Sequence, residues 1–232
     1  MKNSIAIILV LVFGVFLFQI FGYHQTQTSL NKTAGYYNTN TPAEVGAANV
    51  VTAIVVTYRG LDTLGEVTVL FLTALIVGYI LRHGGKEKPK KNNTSEILIT
   101  AANVLIPGSI ILGVYVFLNG HLTPGGGFQG GAIIGTAITL MILANPLQSI
   151  RKSVLHFTES TSGFFYILIG LAGLIFAGGF LDNRILPLGT LGNLLSAGAI
   201  PVIYSLIGLK VGTEISSIIA SINETGNNTS KS

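Results

Sequence analysis

Cysteine is absent from the 232 residues, and the four histidines are scattered. Without a thiol the chain can build neither a disulfide framework nor a thiolate-bound iron–sulfur cluster, and dispersed imidazoles do not make a histidine-rich zinc site. No metal site or cofactor is expected in this chain, so any redox centre it serves belongs to a partner. Charge is equally scarce, at 9% of residues against 49% hydrophobic, and the mean hydropathy is +0.66. So little polar surface cannot enclose a soluble core, and the sequence reads as an integral membrane protein in contact with lipid. Thirteen Lys and Arg against nine acids leave a net charge of +4. These basic residues gather in one loop without interleaved aromatics, which argues against nucleic-acid binding.

A helix that crosses the hydrocarbon core takes about 20 apolar residues. Six stretches qualify, over Ser4–Gly22, Leu61–Leu81, Ile97–Asn119, Gly127–Ala144, Ser162–Leu181 and Asn193–Ala220, which predicts an all-α, polytopic fold. The first is followed by Phe18-Gln-Ile-Phe-Gly-Tyr, with no small-residue cleavage site, so it is expected to remain as an anchor. Lys2, Arg82, Lys86, Lys88, Lys90, Lys91, Arg151, Lys152 and Lys231 fall on one side of this topology. Lys32, Arg59 and Arg184 fall on the other, with Lys210 inside a span. The asymmetry predicts a multi-pass protein of the cell membrane with both termini cytoplasmic.

Val45–Tyr58 is apolar but too short for a straight span, and it is expected as a re-entrant or interfacial helix started by Thr41 and Pro42. The charged, Gly- and Asn-rich run 83–95 is the expected linker. It separates a two-span piece, 1–82, from a four-span piece, 96–220. A polar tail, 221–232, follows and is expected to be disordered from Asn223 on.

Glu66 stands inside an apolar run, about 7–8 Å below the expected outer boundary at helical rise. An acid in hydrocarbon costs roughly 2.5–3.5 kcal/mol on insertion scales, so it either hydrogen-bonds a neighbouring helix or handles a proton or cation. Arg59 and Asp62 lie within one or two turns of it, as tuning groups or as interfacial side chains. Lys210 and Glu214, at i and i+4, share one helix face and can pair, either at the interface or deeper as part of a proton path. In the same span Pro201 is positioned to kink the helix, leaving Glu214 within reach of cytoplasmic water.

The loop Gly120-His-Leu-Thr-Pro-Gly-Gly-Gly-Phe-Gln-Gly-Gly contains a G-x-G-x-x-G spacing at Gly125, Gly127 and Gly130. It joins two membrane spans and lacks the strand that a dinucleotide site requires. Pro124, Gly125, Gly126, Gly127, Gly130 and Gly131 are read instead as a structural loop that permits very close helix packing. His121 beside it is either an interfacial residue or a titrating group. Asn103 and Pro107 share a span, while Glu96, Glu159 and Asp182 sit at span ends, where charges are usually solvated. Glu159 is expected to begin a helix, where an acid suits the dipole.

Two of these stretches carry a family resemblance. Asn49-Val-Val-Thr-Ala-Ile-Val-Val-Thr-Tyr-Arg-Gly-Leu-Asp-Thr-Leu-Gly-Glu resembles the C-terminal part of the MrpA subunit of multisubunit Na⁺/H⁺ antiporters. Gly120–Gly131 resembles the signature loop of the MrpB (MnhB) subunit. In archaeal membrane-bound hydrogenases the two pieces are separate subunits, MbhE and MbhF; the fusion resembles the MbsE-like subunits of the related sulfane sulfur reductases. The resemblance implies a non-catalytic, cofactor-free piece of an Mrp-type module that moves Na⁺ or H⁺. Its implied partners are MrpA-, MrpC-, MrpD-, MrpF- and MrpG-like chains together with iron–sulfur reductase or hydrogenase subunits. It carries over Arg59, Asp62 and Glu66 from the first motif, and His121, Pro124, Gly125, Gly126 and Gly127 from the second. Where the MrpB-like chains of ordinary antiporters carry an acid early in the last span, this chain has Ser196-Ala-Gly-Ala-Ile-Pro, which favours the hydrogenase-like branch. A subunit of a stand-alone antiporter and a purely structural bridge are the remaining readings.

Overall fold

The computed structural model describes residues 2–23, 29–82, 95–145 and 151–226; most of the expected linker and the last six residues of the tail lie outside these. Helices account for most of the described backbone, as expected for segments that must satisfy their N–H and C=O groups without water. Five of them, within Gly60–Leu81, Glu96–Leu118, Gly127–Ala144, Ser153–Phe176 and Ile200–Asn223, are long and apolar enough to cross a membrane, and Ala6–Ile20 is a shorter apolar stretch.

The chain divides into two compact units, Met1–Tyr36 and Tyr37–Ser232. The first holds helix α1 (Lys2–Tyr23), whose residues 6–20 are all exposed. A helix apolar on every side has no single inward stripe and belongs in an apolar surrounding. Helix α2 (Lys32–Glu44) follows and is polar throughout. It lacks the apolar period that would announce it, and Asn31 opens it by accepting a hydrogen bond from the Ala34 amide at 2.8 Å.

In the second unit α3 (Val50–Ala53) runs into a π-helical turn, Ile54–Tyr58, and then, after a break at Arg59, into α4 (Gly60–Arg82). The helices α5 (Glu96–Leu118), α6 (Gly127–Ala144), α7 (Lys152–Phe176) and α8 (Ile200–Gly226) complete it. α8 is the hub and packs against α4, α5, α6 and α7. Its Ile200, Ile203, Tyr204, Ile207 and Val211 are buried at helical spacing, the inward stripe that α1 lacks.

Several expectations are corrected. The short segment after residue 45 packs one face into the bundle, with Val45, Ala47, Ala53 and Val56 buried at 0–1% exposure, while Val51 on its other face is exposed. Pro42 does not start it, because Pro42 lies inside α2 and Asn49 is the cap, accepting from the amides of Val51 and Thr52. α7 begins at Lys152, well before the expected start at Ser162, and ends at Phe176. α8 begins at Ile200 because Ala197 and Gly198 take positive φ, 63° and 58°, which no helix tolerates. Pro201 therefore sits in the first turn, where its missing N–H costs nothing, and does not kink the helix. At the other end the helix runs on to Gly226, so 223–226 are helical where disorder was expected.

Candidate ion-pathway site

Lys210 and Glu214 lie one turn apart on the buried face of α8, with Nζ and Oε1 2.7 Å apart and the side chains 10% and 0% exposed. Glu214 is thus inside the bundle, not in cytoplasmic water. The second oxygen, Oε2, has no hydrogen-bond partner among the described residues. The Lys210 ammonium sits 4.7 Å from the ring centre of Phe71 on α4, a cation–π contact. On its other flank lies Gly163 of α7, where a Cβ would come within 3.5 Å of Nζ. Three helices therefore enclose one fixed positive charge and its counter-ion.

α7 adds a group that the sequence reading set aside. Glu159 was expected at a solvated helix start, but it lies two turns inside α7 and is buried. Its carboxylate is within electrostatic reach of Glu214. His156, one turn earlier and exposed, approaches it with Nδ1 3.7 Å from Oε2. Among the described residues no three His, Cys, Asp or Glu side chains converge on a metal-sized point.

Glu66 is exposed on the surface of α4 and does not point into this bundle, while Thr63 and Val67 beside it are buried. It acts electrostatically on Tyr166 of α7, which is 1% exposed with a hydroxyl lacking a hydrogen-bond partner among the described residues. Arg59 and Asp62 pair with each other at 2.5 Å, with both side chains more than half exposed, so the pair contributes little to stability. Asn103 is exposed too, on α5.

The glycine loop is a clamp between helices. The Gly120 carbonyl accepts from Asn49 Nδ2 at 2.9 Å and from Thr52 Oγ1 at 2.5 Å, and Asn49 also donates to the Thr123 carbonyl at 2.9 Å. Tyr204 of α8 donates to Thr52 Oγ1 at 3.1 Å. A Cβ at Gly127 would lie 2.6 Å from Ile207, and one at Gly130 would strike the Gly113 carbonyl. Gly125 packs on the Val116 carbonyl and Gly126 on the Tyr204 ring, while Pro124 is exposed at the turn. Asn49, Thr52 and Tyr204 were missed as functional positions, since nothing in the sequence marks three polar residues so far apart as partners.

His121 is fully buried; its carbonyl accepts from the Asn49 amide at 3.0 Å and its Nε2 contacts the Asn193 carbonyl at 3.3 Å, which joins it to this clamp and not to Lys210 or Glu66. Burial holds its pKa below the usual imidazole value. A neutral imidazole in the fold and a protonating one in the unfolded chain mean that stability is complete above about pH 6.5 and falls as the pH drops below it. Thermal melts of the purified protein should therefore lose more stability between about pH 6.5 and 5 for wild type than for His121→Gln. Asp182, expected to be solvated, is instead buried and grips Arg184 through Nε at 2.9 and 3.1 Å. The guanidinium holds that carboxylate below its ordinary range.

Together these features define a polytopic α-helical membrane protein that keeps an ion pair inside its own bundle. Residues 97–217 match the family model described as a domain related to the MnhB subunit of Na⁺/H⁺ antiporter, and residues 2–95 match MbhE, the E subunit of MBH. The chain belongs to the MnhB family. An uncharacterized protein of Methanocaldococcus jannaschii is 32% identical over 195 residues, covering 70% of this chain and 72% of its own. The B subunit of the Na⁺/H⁺ antiporter of Bacillus subtilis is 30% identical over 40% of this chain and 68% of its own. A chain in the structure of the membrane-bound sulfane sulfur reductase, an archaeal respiratory membrane complex, superposes with a TM-score of 0.81 at 40% identity, covering 95% of this chain and 97% of that one. A chain of the Mrp complex from Dietzia sp. DQ12-45-1b shares the fold, with a TM-score of 0.75 at 24% identity, covering 99% of this chain and 26% of that one.

Proposed function

We propose that this chain is a membrane subunit of an Mrp-type cation/proton module within a respiratory complex of the sulfane sulfur reductase kind. The observation that carries this is the 40% identity to a chain of that complex over almost the whole of both chains. In this reading the chain catalyses no redox chemistry, and iron–sulfur clusters reside in partner subunits. It contributes to Na⁺/H⁺ exchange through the Lys210–Glu214 pair, while Glu66, exposed on α4, faces a neighbouring Mrp-type subunit. An ammonium held at membrane depth between three helices supports this, because such a charge is expensive to keep without a role. The likeness to the Bacillus antiporter chain favours a second reading, a stand-alone antiporter, over a smaller part of the sequence.

The test is gentle extraction of the tagged chain followed by mass spectrometry of what co-purifies. MrpA-, MrpC-, MrpD-, MrpF- and MrpG-like chains with iron–sulfur subunits are expected. The same membrane set without iron–sulfur chains would establish the antiporter, and a lone protein or homo-oligomer would overturn both.

A further inference from the structure

Three buried or half-hidden groups remain outside this account: Glu159, His156 and Tyr166, all on α7. They are spaced by three and seven residues, which places them along one face of that helix, with Gly163 between them against Lys210. From His156 to Tyr166 the face extends about 15 Å at helical rise, roughly half of a hydrocarbon core. At one end His156 is 62% exposed and 3.7 Å from the buried Glu159. Glu159 in turn acts on Glu214, whose Oε2 lacks a partner among the described residues, and Glu214 pairs with Lys210. At the other end the buried Tyr166 hydroxyl also lacks a partner among the described residues, and the next charge in its field is Glu66, exposed at the far surface.

We infer that His156, Glu159, Glu214, Lys210, Tyr166 and Glu66 form one proton-conducting line through this chain, with His156 as its aqueous mouth and Glu159 as its obligatory inner carrier. The line rests on the functional reading above, which it deepens by adding the inner arm. A proton taken from water by His156 passes to the Glu159 carboxylate and on to Glu214, which frees Lys210 from its counter-ion. Lys210 releases one proton toward the Tyr166 hydroxyl, which hands its own to Glu66; Glu66 gives that proton up at the exposed surface of α4, and Lys210 is reprotonated by Glu214. Each group ends as it began, and one proton has crossed. No other titratable side chain among the described residues faces the line from the helices around α8: α6 has none, Glu96 and Tyr115 on α5 are exposed, and so are Asp62 and Tyr79 on α4. Tyr204, on α8 itself, is committed to the loop clamp. Chains of carboxylates and histidines at membrane depth are the usual means of moving protons there.

The experiment uses membrane vesicles carrying the whole complex, with Na⁺-dependent proton movement followed by a fluorescent pH-gradient probe. Glu159→Gln should lower the initial rate at least tenfold, with the complex present at its normal level, and Glu159→Asp should recover much of it. His156→Ala should slow proton uptake and be rescued by added imidazole, which a merely structural residue would not permit. A Glu159→Gln complex that pumps at the wild-type rate overturns the inference. If that variant fails to assemble, the absence of imidazole rescue in His156→Ala overturns it equally. The double variant Lys210→Met/Glu214→Gln is measured beside them: if it too moves protons at the wild-type rate, the broader functional reading falls, whereas if it alone is impaired, only the inner arm does.

Discussion

Lys210→Met should destabilise the protein by about 3–5 kcal/mol, the loss seen when one partner of a buried ion pair is removed. The reason is geometric. Glu214 is 0% exposed, Lys210 is the one cation within reach among the described residues, and a thioether offers no proton to Oε1. The double variant Lys210→Met/Glu214→Gln removes both charges and should regain most of that stability, since a buried pair is often no better than well-packed neutral groups. Ion movement separates the roles. Thermal unfolding in detergent and Na⁺-dependent proton movement in vesicles should part company, the double variant being stable and inactive. A double variant that is both stable and fully active would reduce the pair to packing.

Gly131→Val should be as damaging for a different reason. A Cβ at Gly131 would stand 2.7 Å from the Gly208 carbonyl oxygen, 2.7 Å from Val211 Cβ and 3.0 Å from the Gly212 amide nitrogen. Two of these atoms are helix backbone and cannot swing aside, so α6 and α8 must separate. Close approach of small residues is a main source of attraction between helices in lipid, where burial of apolar surface supplies none. Overpacking costs about 1–3 kcal/mol in ordinary cores, and this contact lies at or above the top of that range. Yield and melting temperature should both fall steeply. Gly108→Ala is the control, because nothing lies within 4 Å of its Cβ position and the helix should tolerate it. Equal behaviour of the two variants would show that the α6–α8 contact is not what holds the bundle.

The spans α4, α5 and α6 were legible almost to the residue, because their ends coincide with Arg82, Glu96, Asn119 and Asn145, where apolarity stops. The last two were displaced because apolarity and helicity part company there. Lys152–Thr161 is rich in polar residues yet helical, and Leu194–Ala199 is rich in apolar residues yet not helical, turned by the positive φ of Ala197 and Gly198. That displacement hid the site's inner arm: with α7 begun too late, Glu159 looked like a solvated helix start. Lys210 and Glu214 were legible as a pair because i and i+4 is a local relation. Their burial was not, since it depends on α4 and α7 closing over them.

The π-helical turn at Ile54–Tyr58 carries a consequence for how this protein tolerates insertions and deletions. A π turn holds one residue more than an α turn, so losing any single residue there would let the segment close into a regular α-helix. The repair would be local in hydrogen bonding and ruinous in phase, because each residue subtends about 100° around an α-helix. Asn49 and Thr52 would rotate away from the Gly120 carbonyl they now hold. Chain length in these five residues is therefore the key that keeps Asn49 and Thr52 in register with the glycine loop they hold.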